Sequence, residues 1–124
     1  MSIKSYKTQI LLLYIIFIFL NSIISKDLIP KGSLKYDDFL HFIEFFILGF
    51  LLINAIIVKA FNINKFIICI VILTLIPLID ENLQYFFDIQ GRRYDINDIK
   101  MDLVGSYCGV AIFMLIYKLR RKNG

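Results

Sequence analysis

Four apolar stretches, Ile10 to Ile24, Phe39 to Phe61, Phe66 to Ile79 and Leu103 to Tyr117, alternate with short charged segments. Crossing a hydrocarbon core of about 30 Å takes about 20 helical residues, so stretches of this length demand lipid as their solvent. At 59% hydrophobic over 124 residues, the chain carries more apolar surface than one small water-soluble core absorbs. The second stretch is long enough to span alone. The third is short, so its helix must continue through Asp80, Glu81, Asn82 and Leu83 toward Phe87, a run with no glycine or proline. The fourth begins near Asn97, among acidic residues, for the same reason. These lengths predict one domain over residues 1–124, an all-α four-helix transmembrane bundle with helices at about 8–25, 38–61, 65–87 and 98–119. The first stretch follows Lys4 and Lys7 and also fits a signal sequence. Asn21 to Ser25 lacks a clean small-x-small cleavage site, which favours an uncleaved anchor.

The net charge of +4 does not imply nucleic acid, because the basic residues are scattered between apolar runs and form no continuous stripe. They report topology instead. Lys4, Lys7, Lys59, Lys65, Lys118, Arg120, Arg121 and Lys122 fall on the face holding both termini, and all 10 acidic residues fall on the opposite one. The positive-inside rule then places both termini in the cytoplasm of a multi-pass cell-membrane protein. It also places every carboxylate at the outer face, in the first and third loops and the helix ends beside them.

The second helix opens with Asp37, His41 and Glu44 at four- and three-residue spacing, on one helical face. Asp37 is placed to orient His41 as a proton acceptor or ligand. Glu44 lies deeper in the membrane, where a carboxylate belongs in the bundle interior or in its protonated form. Helix capping by Asp37 or Asp38 is the plainer reading of those two acids, but it explains neither His41 nor Glu44. On the third helix Glu81 and Gln84 face the same partner, just beyond Pro77. That proline removes a backbone hydrogen bond, which either opens a polar pocket or serves packing alone. The third loop sets Arg92 and Arg93 among Asp88, Asp95 and Asp98; Arg92 either clamps Glu81 or Asp98, or offers its fork to a phosphate or carboxylate. Asp98 and Asp102 lie one turn apart on the fourth helix, and Gly105 and Gly109 form a close-packing pair. Catalytic, phosphate-cradling and cofactor motifs are absent, and no cofactor is expected. His41 among oxygen donors makes a weak metal site, so no metal is assigned. Cys69 and Cys108 sit in separate apolar stretches and read as small buried hydrophobes.

Asp37-x-x-x-His41-Phe42-x-x-Phe45-x-x-Leu48-Gly49, followed by Glu81-x-x-Gln84, Gly91-Arg92, Asp95-x-x-Asp98 and Gly105-x-x-x-Gly109, resembles the VanZ-like family. The resemblance covers about Tyr36 to Gly109, and the first helix adds only hydrophobicity. Asp38 stands where the family usually has lysine and Asp102 where asparagine is usual, so this site is the more acidic. The family's founding member is associated with low-level teicoplanin resistance by a mechanism that is not established. The resemblance therefore implies an envelope protein tied to glycopeptide susceptibility, with no assured enzyme class.

Three readings follow. In the first, the outer-face cluster binds or alters a glycopeptide, peptidoglycan precursor or lipid headgroup. Asp37, His41 and Glu81 are then the candidate catalytic set, and Glu44, Gln84, Arg92, Asp95, Asp98 and Asp102 the binding set. Pro77, Gly105 and Gly109 are architectural. The second is a small proton-coupled transporter built on His41 and Glu44. The third is a non-catalytic assembly factor that meets partner membrane proteins through Gly105 and Gly109.

Overall fold

The computed structural model describes residues 3–23, 37–57, 62–86 and 96–123. They form four helices, α1 (Ile3–Ile23), α2 (Asp37–Ile56), α3 (Ile63–Phe86) and α4 (Ile96–Asn123), with no strand among the described residues. Three of them contain windows long and apolar enough to cross a membrane: Phe39–Ile56, Ile63–Leu83 and Ile99–Lys122. The apolar part of α1 is shorter, Tyr6–Asn21. The α3 helix does pass through Asp80 and Glu81, because neither glycine nor an interior proline stops it there; Pro77 lies upstream and the helix continues across it.

Two helix ends have a local cause in the side chains beside them. Asn62 caps α3, its side-chain oxygen accepting from the backbone N–H groups of Asn64 at 2.9 Å and Lys65 at 3.4 Å. Arg120, Arg121 and Lys122 occupy the last turn of α4, where positive charge complements the negative end of the helix dipole.

The distribution of polarity is the reverse of a water-soluble bundle. Leu13 is 68% exposed, and Phe17, Ile67, Val71, Leu75 and Leu115 are also exposed, while His41, Asp80, Glu81, Asp102 and Ser106 are buried. Water would reward the opposite arrangement; a bilayer accepts apolar side chains outside and drives ionisable ones inward. This polarity, with the spans of α2, α3 and α4, identifies a membrane protein.

The bundle is built around a parallel contact between α2 and α4. A side chain added at Gly105 would run into the backbone of Phe42, and one at Gly109 into the backbone of Phe46. One turn further along both helices, the ring of Phe50 meets Phe113 edge-on with centroids 5.4 Å apart. Gly49 of α2 returns the relation, facing the backbone of Ser106. Glycines on both helices thus bring the backbones together, a close approach that in lipid replaces the hydrophobic effect with van der Waals contact. Phe45, Leu48, Leu52 and Ile53 of α2 fill the core beside this seam, with Ile18 of α1 and Leu73 of α3 among the residues packed against them.

Candidate functional site

Because α2 and α4 are parallel, their amino-terminal ends share one end of the bundle, and the α3 carboxyl-terminal end joins them there. That end collects the buried ionisable residues: His41 from α2, Asp80 and Glu81 from α3, and Asp102 from α4.

The register set by Gly105 and Phe42 brings Asp102 beside His41. Nδ1 of His41 and Oδ1 of Asp102 lie 2.8 Å apart, with His41 9% exposed and Asp102 fully buried. A carboxylate accepts and does not donate, so in the neutral imidazole the proton sits on Nδ1 and the lone pair on Nε2. The interhelical partner thereby fixes the tautomer and points the ring, which is how a carboxylate prepares a histidine for proton transfer. Ser106, one turn after Asp102, is fully buried, and its hydroxyl oxygen has no hydrogen-bond partner among the described residues.

Glu44 lies seven residues into α2, about 10 Å along its axis. His41, Asp102 and Asp80 are within electrostatic reach of its partly buried carboxylate. Two α1 residues hold this turn. The Tyr14 hydroxyl donates to the Glu44 backbone carbonyl at 2.6 Å, and the Asn21 amide makes a long 3.5 Å contact with the Glu44 carboxylate. The helix that offered only hydrophobicity in sequence therefore supplies the site with two polar supports. A tyrosine inside an apolar run needs an acceptor once in lipid, and this need was the available signal.

The chain matches the VanZ/LLP1 family model over residues 3–117. It belongs to the VanZ/LLP1 family. No curated protein and no solved structure matches it.

In this VanZ/LLP1 chain, the structure pairs His41 with Asp102 of α4, an interhelical contact beside the intrahelical one that spacing predicts with Asp37. The Asp37, Gln84 and Asp98 side chains lie outside the described residues, as do Arg92 and Asp95 altogether. Glu81 is 0% exposed on the same end of α3 as the buried Asp80. Pro77 is fully buried within α3, one turn before Glu81. Gly105 and Gly109 are filled against α2 of the same chain, which occupies the face that the assembly reading reserved for a partner. Among the described residues, no group of three or more histidine, cysteine or acidic side chains is arranged to hold a metal ion. Cys69 and Cys108 are both free thiols, Cys69 buried and Cys108 half-buried.

Proposed function

We propose that this VanZ/LLP1 protein is a multi-pass component of the bacterial cell membrane, with both termini in the cytoplasm, that binds or alters a polar envelope component at the outer end of its bundle. Eight basic residues on the face holding the termini against six on the other support the orientation. The observation that carries the site is the buried His41–Asp102 pair at 2.8 Å. An ion pair or charge-assisted bond inside a membrane bundle is costly to form, and intramembrane ionisable groups mark functional sites by default. In this reading His41 accepts a proton through Nε2, Asp102 holds it, Glu81 is the acid or ligand, and Arg92 receives an anionic group. Asp37 belongs with His41 and Glu81 in the candidate catalytic set, and Gln84, Asp95 and Asp98 in the binding set. A glycopeptide such as teicoplanin, a peptidoglycan precursor and a lipid headgroup all present the hydroxyl, amide or anionic groups that such a site would engage.

The test is expression of His41→Gln, Asp102→Ala and Glu81→Gln in a bacterial host, with teicoplanin susceptibility measured at matched membrane protein levels. Loss of the wild-type phenotype in each variant supports the site. Retention of the full phenotype in all three removes it.

A second reading, proton-coupled transport, draws support from Glu44, a carboxylate about 10 Å inside a spanning helix and close to three other ionisable groups. Proteoliposomes under an imposed pH gradient distinguish it: this reading requires flux that Glu44→Gln abolishes, and flux indifferent to that substitution ends it.

A further inference from the structure

At the opposite end of the bundle from His41, Ala111, Met114, Leu115, Tyr117, Lys118 and Arg121 of α4 line a recess of about 590 Å³, a volume typical of small-molecule sites. Positive charge at a helix carboxyl terminus has an ordinary explanation in the dipole and in membrane topology. That explanation applies equally to Lys118, Arg120, Arg121 and Lys122. It does not say why only Lys118 and Arg121, three residues apart and so on one face, border the recess. The same face continues backward through Leu115, Met114 and Ala111, giving an apolar wall with a cationic rim.

The dimensions match one leaflet. From Ala111 to Arg121 the helix rises about 15 Å, half of a hydrocarbon core of about 30 Å. The apolar end therefore lies toward the bilayer centre while the cations sit at the headgroup level, with Tyr117 at the depth where tyrosines anchor to the interface. This wall is held from behind. Tyr117 stacks on Phe113 with centroids 6.3 Å apart, and Phe113 is itself set edge-on against Phe50 of α2. One lining residue, Tyr117, is thus tied through Phe113 to the central α2–α4 seam.

We propose that this recess binds an anionic phospholipid of the surrounding membrane, with an acyl chain along Ala111, Met114 and Leu115 and the headgroup phosphate between Lys118 and Arg121. The guanidinium of Arg121 donates two parallel hydrogen bonds to phosphate oxygens, and the Lys118 ammonium adds a point charge. The charge complementarity selects an anionic over a zwitterionic lipid, and the apolar wall selects a lipid over a free phosphate. This site is separate from the His41 cluster and stands whether or not that cluster binds an envelope component.

Full-length protein purified in detergent is titrated with phosphatidylglycerol or phosphatidylcholine, and bound lipid is counted by native mass spectrometry. Wild type is expected to retain phosphatidylglycerol preferentially. Lys118→Gln with Arg121→Gln should lower that retention about tenfold, since each basic residue near an anionic headgroup contributes severalfold in affinity. Arg120→Gln with Lys122→Gln, which removes the same charge outside the recess, should change it less than about twofold. Ala111→Phe, which fills the apolar end, should lower retention without altering charge. Equal losses from the two charge pairs would mean diffuse attraction to the helix end and would overturn the proposal. So would an unaffected Ala111→Phe, or competition by inorganic phosphate alone.

Discussion

The two ends of the α2–α4 seam use opposite chemistry on one register. At the amino-terminal end the helices meet through His41 and Asp102; at the other they meet through Phe50 and Phe113, with Tyr117 stacked on Phe113 within α4. Gly105 and Gly109, packed on Phe42 and Phe46, lie between and fix both. Aromatic packing costs nothing in lipid and tolerates small shifts. The buried His–Asp bond has a desolvation cost and a narrow geometry. The two ends of one seam therefore place different demands on the fold: one needs shape alone, the other a matched polar partner.

The strongest way to break this contrast is to remove the register that both ends share. Gly109→Leu drives a side chain into the Phe46 backbone, which cannot move aside as a flexible side chain would. Overpacking on backbone belongs among the few mechanisms that cost more than about 4 kcal/mol. The expected outcome is loss of monodisperse protein on size exclusion and loss of the thermal transition, whereas Ala111→Leu, at an exposed position, leaves both intact.

Next in size is the polar end alone. Asp102→Ala leaves the buried His41 without this acceptor and should destabilise the protein by about 1–3 kcal/mol. Asp102→Asn keeps an acceptor oxygen and should cost less. The double substitution His41→Leu with Asp102→Leu removes both polar partners and should recover much of the loss, because exchanging a buried pair for apolar groups is often neutral. Denaturation in mixed micelles reads all three. A double variant that is stable yet lacks the envelope phenotype would separate function from folding at this site; one as unstable as Asp102→Ala would make the pair structural.

At the aromatic end, Phe113→Leu keeps most of the volume and loses the ring contacts to Phe50 and Tyr117. A cost of about 0.5–1.5 kcal/mol is expected, the range for an aromatic pair. It should leave any His41-dependent phenotype unchanged, sharpening the separation of the two ends. A loss of that phenotype at normal stability would show that the ends are coupled.

Much of this arrangement is legible in the residues, and the gaps have a common cause. Helix number follows from apolar length, and the passage of α3 through Asp80 and Glu81 follows because Phe66 to Ile79 cannot span alone. Gly105 and Gly109 announce close packing, yet nothing in their spacing says that Phe42 and Phe46 lie opposite. Without that register, Asp102 is one of several acids near the fourth helix, while the four-residue rule reaches only partners on the same helix, such as Asp37 for His41. Contacts within a helix are local and readable; contacts between helices depend on rotation and depth, which composition leaves open. Tyr14 and Asn21 escaped for the same reason, since their role exists only once α1 is placed against Glu44.

The smallest effect tests how the polar groups outside the cluster are accommodated. Thr74 and Tyr107 bridge α3 and α4, their hydroxyl oxygens 2.7 Å apart, and Thr74 also donates to the Ile70 carbonyl at 2.8 Å. Threonine has one hydroxyl proton, so with that proton committed to Ile70 the bridge must be donated by Tyr107. The two single substitutions are then unequal. Tyr107→Phe removes the donor and leaves Thr74 bonded within its own helix. Thr74→Val strands the Tyr107 hydroxyl beside apolar neighbours, where an unmet donor is most costly. Interhelical hydrogen bonds in membrane proteins average about 0.6 kcal/mol in double-mutant cycles, and a coupling of that order is expected here, with Thr74→Val the costlier single change. Equal costs would reverse the donor assignment and make Thr74 the bridge's proton source.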